Sequence, residues 1–124
     1  MQKKVIIIDP FIQTVTQGRY DNYKDLYKMG KFDTFDIVMV DKNSDTDKGN
    51  DLVLDDEGLL KENQRYFTFV GVGSFAGIGI LIGSDHSTGG TIDTSWTVDQ
   101  VTRAVSYEPE GFKIEPSFSI SVWE

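Results

Sequence analysis

The segment KVIIIDPFIQTVT, residues 4–16, decides the fold class. Residues 4–8 predict a buried strand because they are rich in β-branched side chains. Residues 12–16 alternate apolar and polar side chains with the period of two that is typical of a strand. Asp9 and Pro10 between them predict a bend, since both residues favour turns. The chain therefore opens with two strands in succession, not with the strand–helix–strand unit of a doubly wound fold.

Two helices follow from capping signals outside this segment. Asp21 is a candidate N-cap for a helix over residues 22–29, and Gly30 is placed to end it. Thr97 is followed three residues later by Gln100, and this pair forms a capping box that opens a second helix. Both signals are local, so they predict where each helix begins.

The rest of the chain is mostly strand and turn. Strands are predicted at residues 35–40, 52–54, 66–70, 76–82, 91–94 and 112–123, with a polar loop over 41–49. Without the short edge strand at 91–94, the resulting order is β-β-α-β-β-β-β-α-β, which lacks regular βαβα alternation. We therefore predict an α+β fold, in which an antiparallel-dominated β-sheet has two helices packed on it. Residues 1–124 form a single small domain.

Composition restricts the possible location and partners. The chain has no cysteine, which excludes disulfides and thiolate metal sites and fits an intracellular protein. The first apolar run stops at Asp9, too early for a signal peptide, and no later run is long enough to span a bilayer. We expect a cytoplasmic protein with no membrane partner. The net charge of −8 repels polynucleotides, whose recognition needs a basic surface.

The acids are concentrated, since residues 33–57 hold nine of them against two lysines. Presented on one face, these carboxylates would mimic a nucleic acid and inhibit a host protein, which is our alternative function. Residues 41–47 resemble a calcium loop but lack its glycine and its final glutamate, so we expect a solvated turn. A metal-dependent hydrolase that uses residues 55–57 is a third possibility, and an acidic turn explains them equally well.

No catalytic constellation is visible. Ser84, Asp85 and His86 are the residue types of a hydrolase triad, but consecutive residues cannot converge as a triad does. His86 is the only histidine. We therefore predict a binding protein that is not an enzyme and needs no metal or cofactor. Gly77, Gly79 and Gly83 remove side chains from a strand, which allows a bulge, close packing or a ligand lying on the backbone.

Three arginines are available to bind an anion: Arg19, Arg65 and Arg103. The arginine fork donates two hydrogen bonds to phosphate, and its plane stacks on bases. Arg103 lies on the second predicted helix. We expect Arg103 to lie near Phe75 and the glycine-bearing segment, where the phenylalanine would offer a face to a base.

Three segments carry a family resemblance: VIIIDPFIQ (5–13), LVLDDEGLLK (52–61) and FAGIGILIGSD (75–85). In these segments the chain resembles small phage and prophage proteins, and among them it is similar to the first type of Thoeris anti-defence sponge. The resemblance implies binding, without cleavage, of cyclic ADP-ribose isomers made by bacterial TIR-domain enzymes, which blocks host immunity. It also implies dimers or larger homo-oligomers, and in some members a separate site for cyclic oligonucleotides.

The resemblance also implies two ligand-binding residues. The family places an aromatic side chain on the adenine and an arginine on the C-terminal helix. Phe75 and Arg103 match these by position in the chain. The predicted function is therefore the sequestration of a small cyclic nucleotide signal.

Overall fold

The strands and helices of a computed structural model, which describes residues 2–58, 61 and 64–109, confirm the α+β class with antiparallel sheets and two helices. The strands are β1 (Lys3–Asp9), β2 (Thr14–Tyr20), β3 (Phe35–Asn43), β4 (Lys48–Asp55), β5 (Tyr66–Phe69), β6 (Gly73–Ala76), β7 (Gly79–Asp85), β8 (Gly90–Ile92) and β9 (Val105–Tyr107). The helices are α1 (Tyr23–Gly30) and α2 (Val98–Ala104). The strands predicted at 112–123 lie outside the described residues.

The strands form two sheets where the sequence predicted one. The larger sheet has the order β2-β1-β7-β4-β3, with β8 beside one end of β7, and the smaller has the order β6-β5-β9. One face of the larger sheet packs on Leu26 of α1 and on Phe32, two residues beyond the end of that helix, and we call it the α1 face. The other face packs on Phe67 of the small sheet and on Val101 of α2, and we call it the α2 face.

The second strand starts later than predicted. It was expected at residues 12–16, whereas β2 begins at Thr14 because residues 10–13 form the turn. The Asp9 carboxylate accepts a hydrogen bond from the backbone N–H of Phe11 at 2.9 Å, and Gln13 adopts a left-handed conformation with φ 54°. Residues 12 and 13, the first two of the alternating pattern, therefore belong to the turn and not to β2.

The caps of α1 each lie one residue beyond the predicted position. Asn22, not Asp21, is the N-cap, and its side chain accepts from the N–H of Lys24 at 2.9 Å. The Asp25 carboxylate completes the capping box by accepting from the N–H groups of Asp21 and Asn22, and these hydrogen bonds lower the pKa of Asp25. The left-handed residue that ends the helix is Lys31, with φ 57°.

The predicted polar loop over 41–49 is mostly strand. Strand β3 continues to Asn43 and β4 begins at Lys48, so the turn spans only residues 44–47. The Asn43 side chain accepts from the N–H groups of Asp45 and Thr46, and these two bonds close the turn. Backbone pairing to a neighbouring strand overrides the polar composition of this hairpin.

The glycines of the predicted strand 76–82 have structural roles. Gly77, with φ 81°, separates β6 from β7, so this segment is two strands in different sheets. A Cβ on Gly79 would lie 2.6 Å from the ring of Phe67, and one on Gly83 would lie 2.3 Å from the carbonyl oxygen of Asp93. Close packing, one of the three predicted explanations, is confirmed at Gly79 and Gly83.

Candidate functional site

A β-bulge in β3 determines where Asp41 points. Met39 pairs with Asp51 and Asp41 pairs with Asn50, so Val40 is an extra residue in the ladder. Strict alternation from Met39 would place Asp41 on the α1 face. The extra residue shifts the alternation, as bulges do, and Asp41 lies on the α2 face instead.

Asp41 belongs to a polar network centred on buried Asn50. The Asn50 side-chain amide donates to Asp41 Oδ1 at 2.9 Å and to Ser95 Oγ at 2.9 Å. Its oxygen accepts from the Thr94 hydroxyl at 2.6 Å and from the Ser95 N–H at 3.2 Å. Asn50 is only 2% exposed, and its amide is fully hydrogen-bonded, as a buried polar group must be to avoid a desolvation penalty.

Trp96 is fixed from two sides. Its indole Nε1 donates to Asp41 Oδ2 at 2.7 Å, and its ring meets Phe69 edge-on with centroids 5.2 Å apart. The next residue, Thr97, is the N-cap of α2, and its reciprocal bonds with Gln100 confirm the predicted capping box. The network therefore ties the start of α2 to the bulged strand.

An open groove lies along this junction. It is lined by Asp41, Ser95, Trp96, Gln100 and Arg103, has a volume of about 440 Å³, and is called here the Asp41 groove. A second depression of about 360 Å³ adjoins it, shares Asp41 and Ser95, and carries Lys48. Both volumes fall in the range of small-molecule sites, about 300–1,000 Å³.

Arg103 presents a largely solvated cation to this groove. Its side chain is 74% exposed, and its nearest acid is Asp99, one helical turn away at 3.8 Å. Asp99 is itself 89% exposed, and exposed pairs of this kind contribute little to stability. The guanidinium can therefore turn to an anionic ligand at small cost.

Phe75 lies elsewhere. It is a half-buried residue of β6 whose ring packs against Phe67, with centroids 5.7 Å apart. It is not among the residues that line the Asp41 groove, so the structure does not bring it together with Arg103 there. A role for Phe75 in binding stays a prediction. The aromatic residue that shares the groove with Arg103 is Trp96, which the sequence reasoning missed.

One sequence signal pointed to Trp96. It directly precedes the N-cap of a helix that the sequence predicts, and an apolar residue at that position commonly packs at the helix entry. Asp41 had no such signal, because its partners Asn50 and Trp96 are reached only through strand pairing and a contact 55 residues away.

The triad-like residues do not form a catalytic site. The Ser84 hydroxyl donates to the Asp51 carboxylate, and Asp85 accepts from the Ser87 hydroxyl at 2.6 Å. His86 is exposed on a turn, as expected. Each side chain has a structural contact or faces solvent, and they do not converge.

The acidic residues at the other end of the hairpin also have local partners. Asp55 accepts from the N–H of Glu57 at 2.9 Å and is also paired with Lys61. The hydrogen bond between the Lys61 ammonium and the Asp55 carboxylate raises the pKa of Lys61. Within residues 2–58, 61 and 64–109, no three or more acids, histidines or cysteines are grouped as metal ligands. The hydrolase alternative gains no support from this cluster.

The acidic segment does not form one continuous face. Asp41, Asp51 and Asp55 are engaged in hydrogen bonds within the fold. The exposed acids separate to the two ends of the β3–β4 hairpin, near Asp36 and Asp45. The strand residues from Asp36 to Asn43 separate these two ends by about 23 Å. This separation weakens the nucleic-acid-mimic alternative.

Comparison with protein-family models, with curated proteins and with solved structures gave no significant match. Among the described residues, neither helix has the length and apolarity needed to cross a bilayer.

Proposed function

We propose that this chain binds a small cyclic nucleotide of the cyclic ADP-ribose type and holds it without cleaving it, thereby blocking Thoeris immunity. The observation that carries the proposal is the Asp41 groove. It combines an indole, an ordered carboxylate and a solvated guanidinium around a cavity large enough for a nucleotide.

Each part of the groove suits one part of a nucleotide. The guanidinium of Arg103 can donate paired hydrogen bonds to a phosphate. Because the chain has a net charge of −8, the positive charge that a phosphate needs must come from a nearby side chain such as this one. Trp96 borders the cavity and offers an aromatic surface to a base. Asp41 accepts hydrogen bonds from N–H groups. The groove therefore complements a ligand that carries both donors and negative charge.

We propose storage of the ligand and not turnover. Ser84 is hydrogen-bonded to Asp51, and His86 lies on a turn. Neither residue is among those that line the Asp41 groove. Ser95 and Asp41 both line the groove, but each accepts from the Asn50 amide, and within the described residues no hydrogen bond joins them as a nucleophile and its general base. Arg103 and Trp96 orient a ligand but do not attack it.

We also propose that the protein acts in the cytoplasm, where a TIR-derived signal is made, and that it is a homo-oligomer. A chain of 124 residues buries a modest share of its surface, so self-association stabilises it. Ile37 and Met39 on the edge strand β3 are 50% and 56% exposed, and contact with a second copy would cover them.

A capture experiment tests the proposal. The purified protein is incubated with metabolites from a TIR-domain enzyme, separated by filtration and heated, and the released fraction is analysed by mass spectrometry. We expect an intact cyclic nucleotide, in amounts that do not fall with incubation time. Steady conversion to a linear product, or the release of no nucleotide, would refute storage.

A further inference from the structure

We propose that Asp41 selects the ligand's base by accepting a hydrogen bond from an exocyclic amino group, such as that of adenine. This inference rests on the proposed function and adds a specificity-determining residue to it. The base would lie against Trp96, with its amino edge toward the Asp41 carboxylate and its phosphates toward Arg103.

The bonding of Asp41 leaves capacity for such a contact. An ionised carboxylate has about four lone-pair positions and accepts only. Asn50 uses one position on Oδ1, and the indole of Trp96 uses one on Oδ2. Two positions therefore have no donor among these contacts, and Asp41 is half-buried and borders both depressions. A ligand N–H donor would complete its hydrogen bonding.

The two protein donors also fix the carboxylate in space. The Asn50 amide cannot turn away, because its own oxygen is held by the Thr94 hydroxyl and the Ser95 N–H. Trp96 is held in turn by the edge contact with Phe69. A carboxylate positioned in this way discriminates between a donor and an acceptor on the ligand, because it cannot rotate to avoid an unfavourable contact.

Hypoxanthine is the informative competitor. It replaces the 6-amino group of adenine by a carbonyl oxygen, which would place one acceptor against another. A site built to bind a ligand N–H discriminates strongly against an analogue that lacks it, because its own polar group is left unpaired. Adenine and hypoxanthine ligands have the same charge and nearly equal size and differ only along the N1 and C6 edge of the base, so their comparison isolates recognition of that edge.

Titration calorimetry with ADP-ribose and its hypoxanthine counterpart, IDP-ribose, tests the inference. We expect ADP-ribose to bind about tenfold to a hundredfold more tightly, as a charge-assisted hydrogen bond predicts. Equal Kd values would overturn the inference, and so would the absence of binding by both. The proposed function would still be decided separately, by the capture of a cyclic nucleotide.

A variant assigns the preference to this residue. Asp41→Asn should lose most of the preference for ADP-ribose, because an amide offers fewer acceptor positions. Asp45→Asn, the same change at an exposed turn residue, should keep it. An unaltered preference in folded Asp41→Asn would overturn the assignment. If Asp41→Asn does not fold, Trp96→Phe, which removes one of the two donors that hold the carboxylate, should reduce the preference for ADP-ribose, and an unaltered preference there would overturn the assignment.

Discussion

Asn50 and Asp51 are neighbours on β4, yet they serve the two faces of the large sheet differently. Asp51 points to the α1 face, where its carboxylate accepts from Ser84 and the contact ends within the sheet. Asn50 points to the α2 face, where its amide donates to Asp41 and Asp41 also accepts from the indole of Trp96. Asp41 and Trp96 both line an open groove. The polar group of the first face is satisfied locally, whereas that of the second connects the core to a ligand-sized cavity.

The layers that cover the two faces explain this difference. The α1 face is covered by one helix that packs directly on the sheet. The α2 face is covered by a second sheet and a helix drawn from residues 66–107. A layer assembled from several pieces leaves a junction, and the Asp41 groove lies where the start of α2 meets the bulged strand.

Truncating one buried phenylalanine on each face gives the largest expected effects. Phe69→Ala on the α2 face and Phe32→Ala on the α1 face should each cost about 3–5 kcal/mol of unfolding free energy, measured by denaturant titration. The two side chains are 1% and 5% exposed, so the costs should be similar. Only Phe69→Ala should also weaken cyclic ADP-ribose binding, because Phe69 supports Trp96. Equal loss of binding in both variants would contradict a functional difference between the faces.

Removing one polar contact from each face gives a smaller effect. Asn50→Ala leaves the Thr94 hydroxyl and the Ser95 N–H without their acceptor, and it should cost about 1–3 kcal/mol or more. Ser84→Ala leaves the buried Asp51 carboxylate without this donor and should also cost about 1–3 kcal/mol. Thermal unfolding measures both changes, and calorimetry with cyclic ADP-ribose should show weaker binding for Asn50→Ala alone. Wild-type binding by a folded Asn50→Ala protein would show that the polar network around Asn50 does not contribute to ligand binding in the Asp41 groove.

Features fixed by contacts within a few residues were predictable from the sequence. The Thr97–Gln100 capping box is present as predicted, because both partners lie within one helical turn. Close packing at Gly79 was also predicted as a class of explanation, although its partner Phe67 was not. The cap of α1 shifted by one residue, because Asn22 and Asp21 are both good caps and only the bonds of Asp25 decide between them.

Features that depend on register were not predictable. The extra residue Val40 is visible only in the pairing of β3 with β4, and it alone brings Asp41 to the α2 face. The division of residues 76–82 between two sheets depends on the left-handed Gly77. The sequence pointed to Arg103 through its residue type and helix position, and its role in binding stays a prediction. The presence of Asp41 and Trp96 in the groove could be recognised only from the three-dimensional structure.

The most direct test of the account is the affinity of Arg103→Ala for cyclic ADP-ribose, measured by calorimetry beside Arg19→Ala. Arg19 is an exposed arginine of β2 that lies outside both depressions, so it controls for the loss of charge. We predict that Arg103→Ala raises Kd about tenfold to a hundredfold without changing stability, because it removes a charge-assisted contact to phosphate. Arg103→Lys should recover part of the loss, and Arg19→Ala should bind like the wild type. Wild-type affinity in Arg103→Ala would contradict the placement of the nucleotide in the Asp41 groove.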